Sequence, residues 1–383
     1  METKSPFIEI IEEIKEAGGS AYRLCYQCGK CDTVCPWNSV RKFSIRKIIR
    51  EAAFGLTEIE SDDIWRCTTC GNCPEKCPRG VDQIELGVSL RRLASNYDIF
   101  AASASAAKAA RGSLAAEGNP LNEDRTKRAD WAKDLSIKPF TEKTDILFFS
   151  CCYLCYDPRM KKVAKASVDI LNKAGIDYGI LGTKESCCGE SIRKTGAEDV
   201  YKSLARENIK NFIDNGVKKI VVSSPHCYET FKKEYSEFMV NFEVIHMSQL
   251  LLSLINEGRL MIKGEYRKKV TYHDPCYLGR HNGIYDEPRE ILRSIPGLTF
   301  HELAASRSNS YCCGGGGGRV WMETEKEDRF SDLRLEQAHA IGAEVLATAC
   351  PYCITMFEDS RLTLALEEKI EIKDITEIVQ EVI

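Results

Sequence analysis

Several features that define common classes of protein are missing from this sequence of 383 residues. Residues 1–6 contain no apolar stretch like that of a signal peptide, and no apolar run approaches the ~18 residues needed to span a bilayer. No G-x-G-x-x-G follows a predicted strand, so we expect no flavin. The formal net charge of -4 gives no basic excess, so we expect no nucleic-acid partner. These absences predict a cytoplasmic protein without a membrane span of its own.

Cysteine, in contrast, is abundant, with 19 residues. Thiols stay reduced in the cytoplasm, where clustered cysteines bind metal more often than they form disulfides. A disulfide-rich protein from a hyperthermophile is the alternative, and the cysteine spacing argues against it. Eight cysteines lie within residues 1–98, none within 99–143, and 11 within 144–383. We therefore divide the chain into an N-terminal domain (1–98), a helical connector (99–143) and a C-terminal region.

The N-terminal domain contains two copies of the motif C-x-x-C-x-x-C-x-x-x-C-P. This is the ligand run of bacterial ferredoxins, in which the fourth cysteine of each run binds the other cluster. Zinc fits less well, because it takes four ligands that usually come from separated cysteine pairs. We predict two cubane [4Fe–4S] clusters. One has the ligands Cys25, Cys28, Cys31 and Cys77, and the other has Cys67, Cys70, Cys73 and Cys35.

The spacer between the two runs predicts the type of ferredoxin. Ile45, Ile48, Ile49 and Ala52 recur at the spacing of an amphipathic helix. Gly55 follows at the place of a helix C-cap glycine. A compact β-type ferredoxin would instead separate its runs by strands and turns. We therefore expect an all-α ferredoxin-like domain.

The C-terminal region repeats itself. Each half has an apolar run that leads to a cysteine, a Cys-Cys-Gly triplet, and a second apolar run that leads to a cysteine. Matching cysteines are offset by 124 residues (152 to 276), 125 residues (187 to 312) and 123 residues (227 to 350). This near-constant offset indicates a duplication, and alternating strands and helices predict parallel α/β domains. The expected fold class is α+β multidomain: an all-α ferredoxin-like domain, then two duplicated α/β domains at 144–266 (first repeat) and 267–383 (second repeat).

The second repeat contains five cysteines, one more than a cubane cluster or zinc requires. They are Cys276, Cys312, Cys313, Cys350 and Cys353. The glycine run at 314–318 lets the backbone approach a bound group closely. No Lys-Ser/Thr follows this run, so a P-loop is not expected.

The first repeat matches this pattern incompletely. Its matching cysteines are Cys152, Cys187, Cys188 and Cys227. We place Thr230 at the position of the fifth cysteine, and Thr230 cannot be a thiolate ligand. Cys151 and Cys155 lie nearby. A further cluster, zinc, or no metal at all therefore stay open for this repeat.

The pattern Cys…Cys-Cys-Gly…C-x-x-C resembles the CCG domain of heterodisulfide reductases. The whole chain resembles the catalytic-subunit family in which a two-cluster ferredoxin is fused to two CCG domains. Certain stretches resemble the Cys-rich subunit of the membrane complex associated with dissimilatory sulfite reduction. The stretches that carry this last likeness are C-P-W-N-S-V-R (35–41), I-W-R-C-T-T-C (64–70), G-N-P (118–120) and K-R-A-D-W (127–131).

This resemblance implies that the five cysteines of the second repeat hold a noncubane [4Fe–4S] cluster at which a disulfide is cleaved. It also implies a membrane cytochrome b-type partner that oxidises a quinol, with this chain peripheral on the inner face of the membrane. We therefore expect an oxidoreductase subunit that acts on a small disulfide or on a persulfidated carrier protein, in sulfur metabolism and anaerobic respiration.

Two histidines stand beside the C-terminal cysteines. His273, near Cys276, is a candidate to protonate a thiolate leaving group or to hydrogen-bond a cluster sulfur. For His226 we expect the hydrogen-bonding role. Arg280 and His281 are candidates to bind an anionic group of the substrate.

Three other functions stay open. The first is a non-catalytic electron-relay subunit of a flavin-dependent glycolate, lactate or glycerol-3-phosphate oxidation complex, since such subunits also join ferredoxin runs to CCG repeats. The second is metal-free thiol–disulfide exchange at the C-P-Y-C motif that ends at Cys353. The third is an interaction protein stabilised by zinc.

Overall fold

The computed structural model describes residues 5–56 and 58–383. Residues 1–4, part of the N-terminal stretch in which the sequence shows no signal peptide, lie outside the described residues. The helices are α1 (Ile8–Glu16), α2 (Lys30–Val34), α3 (Ile45–Ala53), α4 (Asp63–Arg66), α5 (Asn72–Glu75), α6 (Gln83–Asn96), α7 (Ser105–Glu117), α8 (Cys152–Tyr156), α9 (Met160–Lys173), α10 (Glu190–Lys194), α11 (Glu198–Asp214), α12 (Pro225–Lys232), α13 (Met247–Asn256), α14 (Asp286–Arg293), α15 (Phe330–Ala340), α16 (Pro351–Thr363) and α17 (Ile375–Gln380). The strands are β1 (Lys138–Pro139), β2 (Ile146–Phe149), β3 (Tyr178–Ile180), β4 (Lys219–Val222), β5 (Glu243–His246), β6 (Lys269–Tyr272), β7 (Thr299–Phe300), β8 (Val345–Thr348) and β9 (Glu371–Asp374).

The chain forms two compact units, and each unit is built from three segments. Unit 1 contains the described part of Met1–Arg111 together with Ser191–Val200 and Gly314–Phe330. Unit 2 contains Gly112–Glu190, Tyr201–Cys313 and Ser331–Ile383. Of the segments of unit 1 that are distant in sequence, one begins two residues after the first Cys-Cys-Gly triplet and the other begins at the glycine of the second triplet. None of the helices that the structure describes has the length and apolar composition needed to cross a bilayer.

The N-terminal part of unit 1 is helical, which confirms the predicted all-α ferredoxin-like domain. Helix α3 occupies the spacer between the cysteine runs, and the Ser44 side chain caps it by accepting a hydrogen bond from the Lys47 N–H. Gly55 follows with a left-handed φ of 62°, as expected of a glycine that ends a helix. Ile49 and Ala52 on this helix are buried in the core of the unit.

Arg91 on α6 connects all three segments of unit 1. Its side chain is fully buried and donates hydrogen bonds to backbone carbonyls from each segment. Nε donates to Ile64 O (2.8 Å) and Nη2 to Cys67 O (2.7 Å). Nη1 donates to Lys194 O (3.0 Å) and Gly317 O (2.9 Å). Because buried carbonyls need partners, this one guanidinium stabilises a junction of loops beside the second cysteine run.

Unit 2 contains two parallel sheets with matching strand orders. The first sheet has the order β1-β3-β2-β4-β5, and the second has the order β7-β6-β8-β9. Apart from the edge strand β1, each strand of the first sheet has its counterpart in the second, which confirms the predicted pair of duplicated α/β domains. The central strands β2 and β8 are buried along their whole length, as expected of parallel strands covered by helices.

The register of these sheets brings the cysteine-bearing loops to one edge. In the first sheet β2 pairs with β4, with Phe149 opposite Val222. In the second sheet β6 pairs with β8, with Tyr272 opposite Ala347. In each sheet, the chain continues from one of these central strands to the strand on one side, and from the other central strand to the strand on the opposite side. Such switch points form crevices at the carboxyl ends of the strands, and the cysteines follow those ends.

We expect Arg91→Lys to lower the free energy of unfolding by at least about 2 kcal/mol, because a lysine leaves several buried carbonyls unpaired at about 1–3 kcal/mol each. Urea unfolding followed by tryptophan fluorescence measures this change. The neighbouring Arg92→Lys is the matched control, since Arg92 is partly exposed and contacts the single carbonyl of Ala17 and the carboxylate of Glu198. We expect it to cost less than about 1 kcal/mol. Equal losses in the two variants would contradict the role given to Arg91.

Candidate metal centres

The two N-terminal cysteine runs adopt the same local conformation. Gln27 and Thr69, each two residues after the first cysteine of its run, have left-handed φ angles of 66° and 51°. This conformation is uncommon for residues with a Cβ, so it requires support from its surroundings. It directs the Gln27 N–H to Cys25 Sγ and the Thr69 N–H to Cys67 Sγ, both at 3.4 Å. Such N–H donors stabilise a thiolate, which is the form that binds metal.

The structure brings the N-terminal cysteines together in two sets. Four thiols from both runs line one pocket of unit 1: Cys25, Cys28, Cys31 and Cys77. Burial raises the pKa of the Cys73 thiol, and neighbouring thiols raise it further. These neighbours include Cys67, Cys70 and Cys35. The first set coincides with one expected ligand set, and the neighbours of Cys73 include the other three expected ligands of the second cluster as well as Cys31. The assignment of both sets as cluster ligands stays a prediction.

Two side chains connect the cysteine runs to each other. The Trp37 Nε1–H donates to Arg66 O at 2.6 Å, just before the second run. Asn72, within the second run, donates through Nδ2 to Val34 O in the first run, also at 2.6 Å. Trp37 is almost fully buried, at 2% exposure, so its indole bond lies away from water. Both bonds hold the segment around Cys35, the fourth cysteine of the first run, near the second run.

The glycine run at 314–318 lies against the second cysteine run, within unit 1. A Cβ on Gly316 would lie 2.3 Å from Thr68 O, and a Cβ on Gly317 would lie 2.5 Å from Cys67 O. Gly317 also has a left-handed φ of 62°. The sequence predicted a close approach of the backbone to a bound group. The observed close approach is to the backbone that carries Cys67.

The five cysteines of the second repeat are all buried. Their thiols contact one another in pairs: Cys276 with Cys312, Cys313 with Cys353 at 3.3 Å, and Cys353 with Cys350. No disulfide joins any of the cysteines that the structure describes. Clustered, buried thiols outside any disulfide are a donor set for a soft metal such as the iron of an iron–sulfur cluster. The residues therefore fit the group that the sequence predicts, and their role as its ligands stays a prediction.

His273 lies beside two of these cysteines. One nitrogen of its ring and the thiols of Cys313 and Cys353 lie within 4.8 Å of one another. The Nδ1 atom accepts a hydrogen bond from Arg334 Nε at 3.3 Å, so in this tautomer the proton resides on Nε2. Burial lowers the pKa of His273, and the positive charge of Arg334 lowers it further. This geometry favours the hydrogen-bonding alternative, and proton donation by His273 stays a prediction.

His226 connects the first repeat with the second. Its Nδ1 lies 2.9 Å from the Glu190 carboxylate, and its ring packs on Tyr277 (4.1 Å) and Tyr352 (4.5 Å). The ring also hydrogen-bonds the Cys350 thiol. Burial lowers the pKa of His226, but Glu190 and Cys350 outweigh it and raise the pKa to about 10. This is the hydrogen-bonding role that we expect for His226, with partners that the sequence did not indicate.

Arg280 has backbone partners in the second repeat. Its Nη1 donates to Ser308 O (3.2 Å) and Ser310 O (2.7 Å), which lie just before the Cys-Cys-Gly triplet. The His281 ring stacks on Tyr277 with the ring centroids 4.2 Å apart. These contacts shape the loop that leads to the triplet. Binding of an anionic substrate group by either residue stays a prediction.

The structure corrects the alignment of the two repeats at their last motif. Helices α12 and α16 both begin with proline, three residues after the preceding strand ends. Aligning the two prolines places Cys227 opposite Cys353. It also places Ser224 opposite Cys350. The prediction that Thr230 replaces a cysteine is therefore wrong, because the first repeat reads S-P-H-C where the second reads C-P-Y-C.

The matching cysteines of the first repeat also lie together. Cys187 hydrogen-bonds Cys152 and Cys188, and Cys188 in turn hydrogen-bonds Cys227. Arg128, which the sequence did not single out, is buried beside them. It donates to Cys152 Sγ at 3.4 Å and to Ser150 O at 2.7 Å. The same guanidinium lies 3.7 Å from the buried carboxylate of Glu185. Residue spacing alone could not reveal these contacts.

Family comparisons agree with this organisation. The 4Fe-4S dicluster domain matches residues 21–81, and the Cysteine-rich domain matches residues 146–232 and 270–358. A dicluster domain followed by two cysteine-rich domains supports iron–sulfur clusters in the chain.

Relatives from several organisms match most of the chain, among them the following three. The chain is 38% identical over 331 residues to the probable iron-sulfur-binding oxidoreductase FadF of Bacillus subtilis, and 35% identical over 335 residues to EtfAB:quinone oxidoreductase of Syntrophomonas wolfei. Each match covers 84% of this chain but 46% of the relative, so the chain spans about half the length of these two proteins. It is 30% identical over 390 residues to the D-type subunit of dihydromethanophenazine:CoB–CoM heterodisulfide reductase from Methanosarcina mazei, covering 93% of both chains.

We expect Gly316→Ala to reduce the iron bound by the purified chain, because the new Cβ displaces the loop that holds Cys67. Loss of one cluster corresponds to about four iron atoms per chain, measured by iron analysis and by the electron paramagnetic resonance (EPR) of the reduced protein. Gly87→Ala is the control, because Gly87 lies in α6 of the same unit and its added Cβ meets nothing within 4 Å. Unchanged iron in Gly316→Ala would show that the close approach does not matter for cluster retention.

Proposed function

This chain belongs to the family of D-type heterodisulfide reductase subunits, and on that basis we propose that it reduces a sulfur–sulfur bond. The chain is an iron–sulfur oxidoreductase subunit. The bond belongs to a small heterodisulfide, or to a disulfide or trisulfide formed with a persulfidated carrier protein. The electrons reach it through the two cubane clusters of the N-terminal domain.

The observation that carries this proposal is the set of five buried thiols in the second repeat. Cys353 is central in it, because its thiol contacts both Cys313 and Cys350. Five thiols exceed the four that zinc takes, and the pair Cys276–Cys312 has no place in a simple C-x-x-C exchange site. These five residues would hold a noncubane [4Fe–4S] cluster. When bound, the cluster supplies one-electron chemistry and iron with affinity for a soft sulfur ligand.

The protein groups around these thiols have definite tasks in this proposal. Burial excludes water from the five cysteines, which favours the soft thiolate–metal bond over solvation. His273, with its Nδ1 held by Arg334, keeps a fixed ring orientation beside Cys313 and Cys353. His226, held by Glu190, donates a hydrogen bond to the sulfur of Cys350. Hydrogen bonds to ligand sulfurs are known to set the reduction potential of iron–sulfur clusters.

We propose that the electrons come from a membrane cytochrome b-type subunit that oxidises a quinol. The chain would then bind peripherally to the cytoplasmic face of the membrane. The resemblance of the whole chain to membrane-bound heterodisulfide reductase supports this partner. The quinone in the name of the Syntrophomonas wolfei relative agrees with a quinone-linked complex.

A second candidate is an electron relay to quinone, without sulfur chemistry in this chain. The higher identities of the FadF and EtfAB:quinone oxidoreductase matches, 38% and 35% against 30%, favour it. The relatives described above give no support to glycolate, lactate or glycerol-3-phosphate as the source of electrons. The two candidates predict different partners. If the chain reduces a sulfur–sulfur bond, a b-type haem protein is expected to co-purify with it.

The test is an EPR signal that appears when the purified chain is oxidised in the presence of a small alkyl thiol. We expect this signal in the wild-type chain and its loss in Cys353→Ser, because Cys353 contacts two other thiols of the set. Cys155→Ser is the control, since Cys155 is equally buried but donates its thiol to Ser150 O at 3.3 Å. Absence of the signal from the wild-type chain would favour the relay.

A further inference from the structure

The first repeat contains a fifth thiol that the repeat pattern does not supply. Cys151 is buried and follows the end of β2. The Cys227 thiol hydrogen-bonds the thiols of Cys151 and Cys188. The contacts run without interruption through Cys152, Cys187, Cys188 and Cys227 to Cys151.

This order of contacts reproduces that of the second repeat. There, the residue aligned with Cys227 is Cys353, and its thiol contacts Cys350 on one side and Cys313 on the other. In the first repeat the position of Cys350 is occupied by Ser224. Cys151 makes the missing contact with Cys227 in its place.

The sheet explains how one thiol replaces the other. Strands β2 and β4 are parallel neighbours, with Phe149 opposite Val222 at their carboxyl ends. Cys151 and Ser224 each lie two residues beyond the end of their strand. A cysteine that is absent after β4 is therefore present at the same edge after β2.

We propose that the first repeat is a second iron–sulfur site, in which Cys151 is the fifth thiolate ligand. The other ligands are Cys152, Cys187, Cys188 and Cys227. Five contacting thiols exceed the four ligands of zinc, as in the second repeat. Arg128 places a buried guanidinium 3.4 Å from Cys152 Sγ, and the same guanidinium lies 3.7 Å from the buried carboxylate of Glu185. This inference stands independently of the substrate proposed above.

Cys155 does not belong to this ligand set. It lies on α8, one turn from Cys151, and is 1% exposed. Its thiol donates to the Ser150 carbonyl at 3.3 Å and so is directed to the backbone. The chain therefore offers a matched pair of buried cysteines, one a proposed ligand and the other not.

The experiment compares full-length Cys151→Ser and Cys155→Ser in a Cys353→Ser background, which removes the contribution of the second repeat. Iron and zinc per chain and the Mössbauer spectrum are measured. In Cys151→Ser we expect loss, or an altered spectrum, of about four iron atoms. In Cys155→Ser we expect no change. Adding Ser224→Cys to Cys151→Ser should restore the iron and its spectrum, because it returns the thiol to the position used in the second repeat.

Three results would overturn the proposal. The first is a Cys151→Ser protein with the iron content and spectrum of its parent. The second is one zinc atom per chain that is lost in Cys151→Ser, which would assign the site to zinc. The third is an equal loss of iron in Cys151→Ser and Cys155→Ser without recovery on adding Ser224→Cys, which would indicate damage to the fold. Activity with a sulfur substrate enters none of these readouts, so failure here is distinct from failure of the proposed function.

Discussion

Crowding of buried thiols is the constraint on which the rest of the structure depends. In the two repeats and around Cys73, sulfurs collect in a low-dielectric interior, where a thiolate is costly and a neighbouring thiolate makes it more costly. The high pKa values of Cys73, Cys227 and Cys276 express this cost. Bound metal compensates it, because thiolate ligands share their charge with the ion, so metal binding contributes directly to folding. The protein has to hold the sulfurs in place until that happens.

Arginine side chains, two of them buried, provide much of this support. Arg91 holds the carbonyl of Cys67, Arg128 holds that of Ser150, and Arg280 holds those of Ser308 and Ser310. In each case a guanidinium satisfies carbonyls of an irregular loop next to a cysteine. The carbonyls of such loops lack the hydrogen bonds that helices and sheets provide. The planar guanidinium, with its several N–H donors, supplies these bonds instead. The same device therefore recurs in the ferredoxin-like domain and in both repeats.

The sequence predicted what depends on local spacing. Two ligand runs, an amphipathic spacer helix and a constant offset between cysteine motifs are short-range patterns, and the all-α domain and the paired parallel sheets follow from them. It failed where contacts are long-range or where counting is ambiguous. Cys350 and Cys353 are three residues apart, so aligning Cys227 with either one gives an offset close to those of the other cysteines. Spacing alone therefore placed the missing cysteine of the first repeat at Thr230, whereas the structure places it at Ser224. The burial of Arg91 and the contact of the glycine run with the Cys67 loop join segments too distant in sequence for any pattern to show.

The discontinuity of unit 1 has a consequence for the order of events during synthesis. Gly316 and Gly317 pack on the loop that carries Cys67, and they leave the ribosome about 250 residues after that loop. Domains generally fold as units while the chain is made, but this one stays incomplete until Phe330 has emerged. The second cysteine run therefore remains without its covering segment through most of translation. If this run binds its predicted cluster, its thiols stay accessible for cluster insertion during that interval, until the glycine run arrives.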